Sequence, residues 1–228
     1  MKSLFVVSLP RSLSSHTYHR VRLALGLEQP GWTSDGEVLN PERHVLFPHG
    51  VSSEEGRFLG RRRDGERFER ARSFLQQSAN AVDFIYKDVV QPFIVTDWLP
   101  GSGLNILRIE RDLADVVYAM SDRNWYYPAH AASEFEDPED ALIAGLLLAQ
   151  RALATLPGPA IRFDDLIMKE DVLWEAMEKL YPDSKPIRES YIDSDFETAR
   201  SEVLQRRTTD RYRKIAERCI GIAAAIKT

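Results

Sequence analysis

Three serines crowd one short turn. Ser12, Ser14 and Ser15 follow Pro10 and Arg11, directly after the apolar run Leu4 to Ser8. A strand that turns into a helix presents free backbone N–H groups and the positive end of the helix dipole. Such a place suits phosphate or sulfate. The serines add hydroxyl donors, Arg11 adds a fixed cation, and His16 stands at the mouth of the turn. The same residues also read as a serine-rich helix cap beside a surface arginine. A nucleotide-triphosphate P-loop needs Gly-x-x-x-x-Gly-Lys-Ser/Thr. No glycine occurs between Met1 and Leu25, so that motif is absent.

A second arginine stands in a comparable position. Asn105 to Ile109 reads as a strand, and Arg111 follows it just before a helix opened by Asp112. In open parallel sheets, ligands bind at that carboxyl edge. Arg111 can fork onto a phosphate through two N–H groups, or pair with Asp112 or Asp115.

The elements that must carry these residues alternate. Apolar or β-branched runs mark strands at Leu4 to Ser8, Asp83 to Tyr86, Asn105 to Ile109 and Ala160 to Phe163. Helical periodicity covers Ser14 to Leu27, Glu66 to Ala79, a segment from Asp112, Asp140 to Leu156, Lys169 to Leu180 and Thr209 to Ile226. Asp112 and Asp115 have the spacing of a capping box. Pro157-Gly158-Pro159 stops the fourth of these helices. Gln29 to Gly65 reads as loops with short strands, one near Val45 to Phe47. It contains Arg61-Arg62-Arg63, a solvated basic run or a phosphate contact. Strands alternating with helices imply an α/β fold, a parallel sheet covered on both faces. With 228 residues, one such domain over residues 1–228 is expected.

Composition narrows the classes. Lys plus Arg is 30 and Asp plus Glu is 35, a formal net charge of −5. That disfavours a generic nucleic-acid binder, which needs a basic surface. A small anion remains open, because a pocket sets its own field. The single cysteine, Cys219, excludes an internal disulfide and a cysteine-built zinc site. It fits a reducing, cytoplasmic location. The longest apolar stretch, Ala141 to Ala149, is about half the roughly 20 residues a spanning helix needs. The histidines and carboxylates show no metal-ligand spacing such as His-Glu-x-x-His, so no metal is expected.

Together the two arginine sites resemble the sulfotransferases that use 3′-phosphoadenosine 5′-phosphosulfate (PAPS). Pro10-Arg11-Ser12-Leu13-Ser14-Ser15 is similar to that family's 5′-phosphosulfate loop. Arg111-Asp112-Leu113-Ala114-Asp115-Val116 is similar to its 3′-phosphate motif, and Ile161-Arg162-Phe163-Asp164-Asp165-Leu166 to its Tyr-Glu-Asp-Leu strand. The resemblance covers Leu4 to Leu166. It implies a three-layer αβα, P-loop NTPase-like sulfotransferase fold of the Pro-Arg-Ser branch. It also implies sulfuryl transfer from PAPS to a hydroxyl or amine of a small-molecule acceptor, with 3′,5′-ADP leaving. There are departures. Leu13 replaces the loop glycine and Leu113 a proline. Ala119 stands where the family has a serine that binds the 3′-phosphate, with Ser121 two residues on. Arg206 and Arg207 are candidates to complete that phosphate site.

For the general base the resemblance points first to Glu37, within Gly36-Glu37. His49 follows, since its ordinary pKa suits base work at neutral pH, and then Asp88. Lys87 matches the lysine of the family's Lys-x-His strand, whose histidine is missing here. Trp125, Tyr126, Tyr127 and His130, with Trp98 opposite, form either an acceptor pocket or a small core under a loop. Two other readings stay open: a P-loop-like kinase or nucleotide phosphotransferase, and a non-catalytic nucleotide-binding domain of the same fold. The sequence does not name the acceptor or the oligomeric state.

Overall fold

In a computed structural model, residues 2–33, 35–40, 58, 65–169, 171–184, 186–187 and 194–226 are described. The strand near Val45 to Phe47, the Arg61 to Arg63 run and His49 lie outside them.

Four strands form one parallel sheet in the order β2-β1-β3-β4: β1 (Leu4–Ser8), β2 (Ile85–Asp88), β3 (Asn105–Glu110) and β4 (Ala160–Arg162). Register runs from Leu4 opposite Ile85 and Asn105 to Glu110 opposite Arg162. All of β1 is buried, as expected for a strand covered on both faces. Its pleat divides the core. Phe5 and Val7 pack with residues of α2 (Glu66–Ser78), α3 (Pro92–Ser102), α4 (Leu113–Ser121), α5 (Pro138–Ala154) and α9 (Asp210–Ala225). Leu4 and Val6 pack with residues of α1 (Ser14–Leu25), α6 (Phe163–Met168), α7 (Val172–Leu180) and α8 (Ser194–Arg207). The expected three layers are therefore present, with the sheet between two helical layers.

The differences from expectation have local causes. β2 runs to Asp88 rather than stopping at Tyr86, because Lys87 and Asp88 are buried through polar partners. α3 has apolar residues on most of its surface and Pro100 inside it, so no amphipathic period marks it in the sequence. α8 is nearly all polar, held by the buried Phe196 and Val203, and so it too went unmarked. The helix expected over Lys169 to Leu180 is α7, which begins only at Val172, and the short α6 before it takes Phe163 from the end of the expected strand. Asp112 caps α4 as anticipated, accepting from Ala114 N at 2.9 Å and Asp115 N at 3.3 Å. Asp115 itself is engaged by Arg207.

The order β2-β1-β3 makes β1 the point where the chain switches direction across the sheet. Ligands of open α/β sheets settle at the carboxyl edge beside such a point.

Candidate functional site

A cavity of about 540 Å³ opens at that edge. Its floor is the turn from Pro10 to His16, every residue of which lines it. Arg11 and Leu13 both adopt left-handed backbone, φ 63° and 57°. Leu13 stands where the similar family has a glycine, and the turn does adopt positive φ there. Such a conformation costs a residue with a Cβ roughly 1–2 kcal/mol. The leucine side chain recovers contact by packing against the α1-side core. As the N-cap of α1, Leu13 offers no side-chain oxygen to the first amides of the helix. Those amides have no carbonyl partner within the helix.

Arg111 leaves the end of β3 and is buried, 6% exposed. Its Nη1 donates to the Arg11 carbonyl, and its guanidinium lies 4.1 Å from the Phe163 ring centroid. Nε is buried with no hydrogen-bond partner. Asp115 Oδ2 approaches it only to 3.9 Å. Burial pushes the Arg111 pKa down to about 10; Arg206, Arg11 and Arg207 push the same way against Asp115. Arg11 is lowered too, by burial and then by Arg123 and Arg206. Arg11, Arg111 and Arg206 all line the cavity. Two guanidiniums lowered by burial and by neighbouring arginines are stabilised by an anion placed beside them.

The two candidates at the end of α8 part ways. Arg206 faces the cavity and pairs with Glu202 at 2.9 Å. Arg207 turns to Asp115 and Asp164, its Nε 3.1 Å from Asp115 Oδ1 and its Nη2 2.6 Å from Asp164 Oδ1. Those carboxylates raise its pKa. It ties α8 to α4 and α6. Ser121 is buried away from the cavity lining, donating to the Tyr118 carbonyl and accepting from Arg211 Nη2 at 3.0 Å. Ala119 does line the cavity.

On the other side, residues 36–38 run along the outer edge of β2. Lys87 N donates to Gly36 O and Val38 N to Lys87 O, at 2.8 and 3.0 Å. Gly36 has φ 77°, and a Cβ there would stand 2.2 Å from the Tyr18 ring. Only glycine lets the segment lie so close to α1. Glu37 thereby reaches the cavity, 7% exposed. Lys87, fully buried, donates from Nζ to Glu37 Oε1 at 2.9 Å and to Ser15 Oγ at 2.7 Å. Asp35 Oδ2 lies 3.5 Å from the same Nζ. Asn40 Nδ2 donates to Glu37 Oε2. A buried ammonium is tolerable only with such partners. Glu37 is thus fixed beside the Pro10 to His16 turn by Lys87, which bonds to both, and by Asn40.

Asp88 is 2% exposed and outside the cavity lining. Its Oδ1 accepts from Val90 N and Gln91 N at 3.0 and 2.7 Å, and Oδ2 has no partner. Burial pushes its pKa up to about 7.

The aromatic candidates also divide. Trp125 and Tyr127 line the cavity, and the Arg11 guanidinium lies 5.8 Å from the Trp125 ring centroid. Trp98 is in the core, edge-on to Phe5 at 6.2 Å. Tyr126 packs against that core, and His130 is exposed outside the lining. His16 lines the cavity, its ring 5.3 Å from Phe196. Asp35, Asn40, Phe163, Phe196 and Glu202 are lining residues the sequence reading passed over. Asp35 stood two residues from Glu37, a usable signal; α8 gave none.

No protein-family model and no curated protein matches the chain. Among solved structures, it is similar to one described as a sulfotransferase domain from the curacin biosynthetic pathway. That similarity is 13% identity and a TM-score of 0.45, over 94% of this chain and 95% of the other.

Proposed function

We propose that the protein is a sulfotransferase that moves a sulfuryl group from PAPS to a hydroxyl or amine of a small molecule. The observation that carries this is the joining, through Lys87, of the Ser15 hydroxyl on the anion turn to the Glu37 carboxylate. A group-transfer site needs an electrophile holder and a proton acceptor at fixed separation. Two cationic places in the cavity, Arg11 on the turn and Arg111 with Arg206 beside it, suit a ligand with two anionic ends. The unpartnered Nε of Arg111 suits one of them.

PAPS supplies a sulfuryl group joined to phosphate through an oxygen that leaves with 3′,5′-ADP. The first amides of α1, Ser12, Ser14 and Ser15 hold the 5′ end. Arg11 offsets the negative charge that gathers on the leaving oxygen. Arg111 and Arg206 hold the 3′-phosphate. Glu37 takes the proton of the acceptor as its oxygen or nitrogen bonds to sulfur and the sulfur–oxygen bond to phosphate breaks. Lys87 and Asn40 keep that carboxylate aimed.

Calorimetric titration tests the donor half of the site. The wild type is expected to bind 3′,5′-ADP in the micromolar range and at least about tenfold more tightly than 5′-AMP or ATP with Mg²⁺, a gap of about 1.4 kcal/mol or more. Arg11→Ala and Arg111→Ala are each expected to abolish that binding. Preference for ATP with Mg²⁺ points to a phosphotransferase instead.

A further inference from the structure

Charge is distributed unevenly around the cavity. The turn and α8 side carries Arg11, Arg111 and Arg206 against Glu202. The opposite side carries two carboxylates, Asp35 and Glu37. Among the described residues, Lys87 is the one cation within ion-pair distance of either. One ammonium cannot neutralise both. Glu37 takes the better share, with Lys87 on Oε1 and Asn40 on Oε2. Asp35 is left with contacts at the outer limit of hydrogen bonding: Lys87 Nζ at 3.5 Å and the Glu37 amide at 3.4 Å. Its side chain is 18% exposed, and it lines the cavity. That the cavity is built for a ligand has independent support in the buried, unpartnered Nε of Arg111.

We infer that Asp35 is the anchor for a positively charged acceptor, so that the acceptor is a short amino alcohol whose hydroxyl meets Glu37 while its ammonium meets Asp35. The inference rests on the sulfotransferase reading for the fate of the hydroxyl. The spacing follows from the carboxylates, both of which come within 3.5 Å of a single Nζ. The hydroxyl and the ammonium must then sit on carbons close together in the chain. An anionic acceptor is rejected by the same pair of carboxylates.

The test compares 2-amino-1-phenylethanol with 1-phenyl-1,2-ethanediol, which differ in an ammonium against a hydroxyl. Binding is measured by calorimetry in the presence of 3′,5′-ADP, where no turnover occurs, with Asp35→Asn alongside. The amine is expected to bind at least about tenfold more tightly than the diol, the scale of one charge-assisted hydrogen bond. Asp35→Asn is expected to remove that advantage while leaving the diol and 3′,5′-ADP unaffected. Equal binding of amine and diol to the wild type overturns the inference, as does an equal loss of both in Asp35→Asn. The wild-type comparison decides the matter even where the variant does not fold. If 3′,5′-ADP fails to bind, the donor reading falls on its own. Amine preference measured without nucleotide then still decides what Asp35 holds.

Discussion

Asp88 has one oxygen capping two amides and the other buried alone, and its acidity follows from that. Burial raises its pKa to about 7, with Glu37 adding to the rise and the two amides and Lys87 opposing it. In the unfolded chain the group titrates near the ordinary value of about 3.9. Between those values the folded protein holds a proton that the unfolded chain has lost. The stability this confers is complete below the unfolded pKa and disappears as pH rises through about 7. Urea unfolding is therefore expected to show the wild type losing stability from pH 5 to pH 7, at a slope of at most about 1.4 kcal/mol per pH unit. Asp88→Asn keeps a carbonyl for Val90 and Gln91 and should flatten that decline. His19, lowered mainly by burial, contributes with the opposite sign and is common to both proteins, so the difference isolates Asp88. A wild-type profile parallel to that of the variant refutes the assignment. The sequence carried no trace of this state. An aspartate after a lysine at a strand end looks solvated until the tertiary structure closes over it.

At the scale of elements, α8 marks the boundary of what sequence could reveal. Strand, turn and helix starts were legible because their signals are local: the buried run of β1, the aspartate that caps α4, the prolines after α5. The position of Arg11 and Arg111 at the carboxyl edge follows from those signals, whereas Glu37 was reached only through the family resemblance and is placed by the approach of Gly36 to Tyr18. α8 has no apolar stripe, and its wall of Phe196, Glu202 and Arg206 is set by long-range contacts alone. Trp98 fails the other way: a tryptophan suits a ligand pocket and a core equally, and only the packing against Phe5 decides. Adjacent arginines on α8 now have separable tasks. Arg206→Ala removes a partly exposed pair with Glu202 and should change stability by less than about 1 kcal/mol while weakening 3′,5′-ADP. Arg207→Ala leaves the buried Asp115 with only the more distant Arg111, 3.9 Å away, and should cost about 3 kcal/mol. Thermal denaturation beside nucleotide titration separates the two. Equal stability losses would contradict the division.

For the whole molecule, the net charge of −5 and the cationic cavity wall act on an anion in opposite directions. Long-range repulsion is screened at moderate salt, since the Debye length is about 8 Å at 0.15 M, whereas groups in contact are screened far less. The affinity for 3′,5′-ADP is accordingly expected to change less than about threefold between 0.05 and 0.5 M NaCl, unlike the steep decline of a nucleic-acid binder. A tenfold fall measured by calorimetry would mean that the anion is held at the surface. The cavity itself is mounted on a single rod. α1 carries Ser15 at its start and, one residue short of a turn later, Tyr18, against which the glycine before Glu37 lies flush. The gap between the turn and the carboxylate is therefore gauged by one helix. On the proposed sulfotransferase reading, loops elsewhere around the rim could be exchanged, and the choice of acceptor altered, without changing that gap.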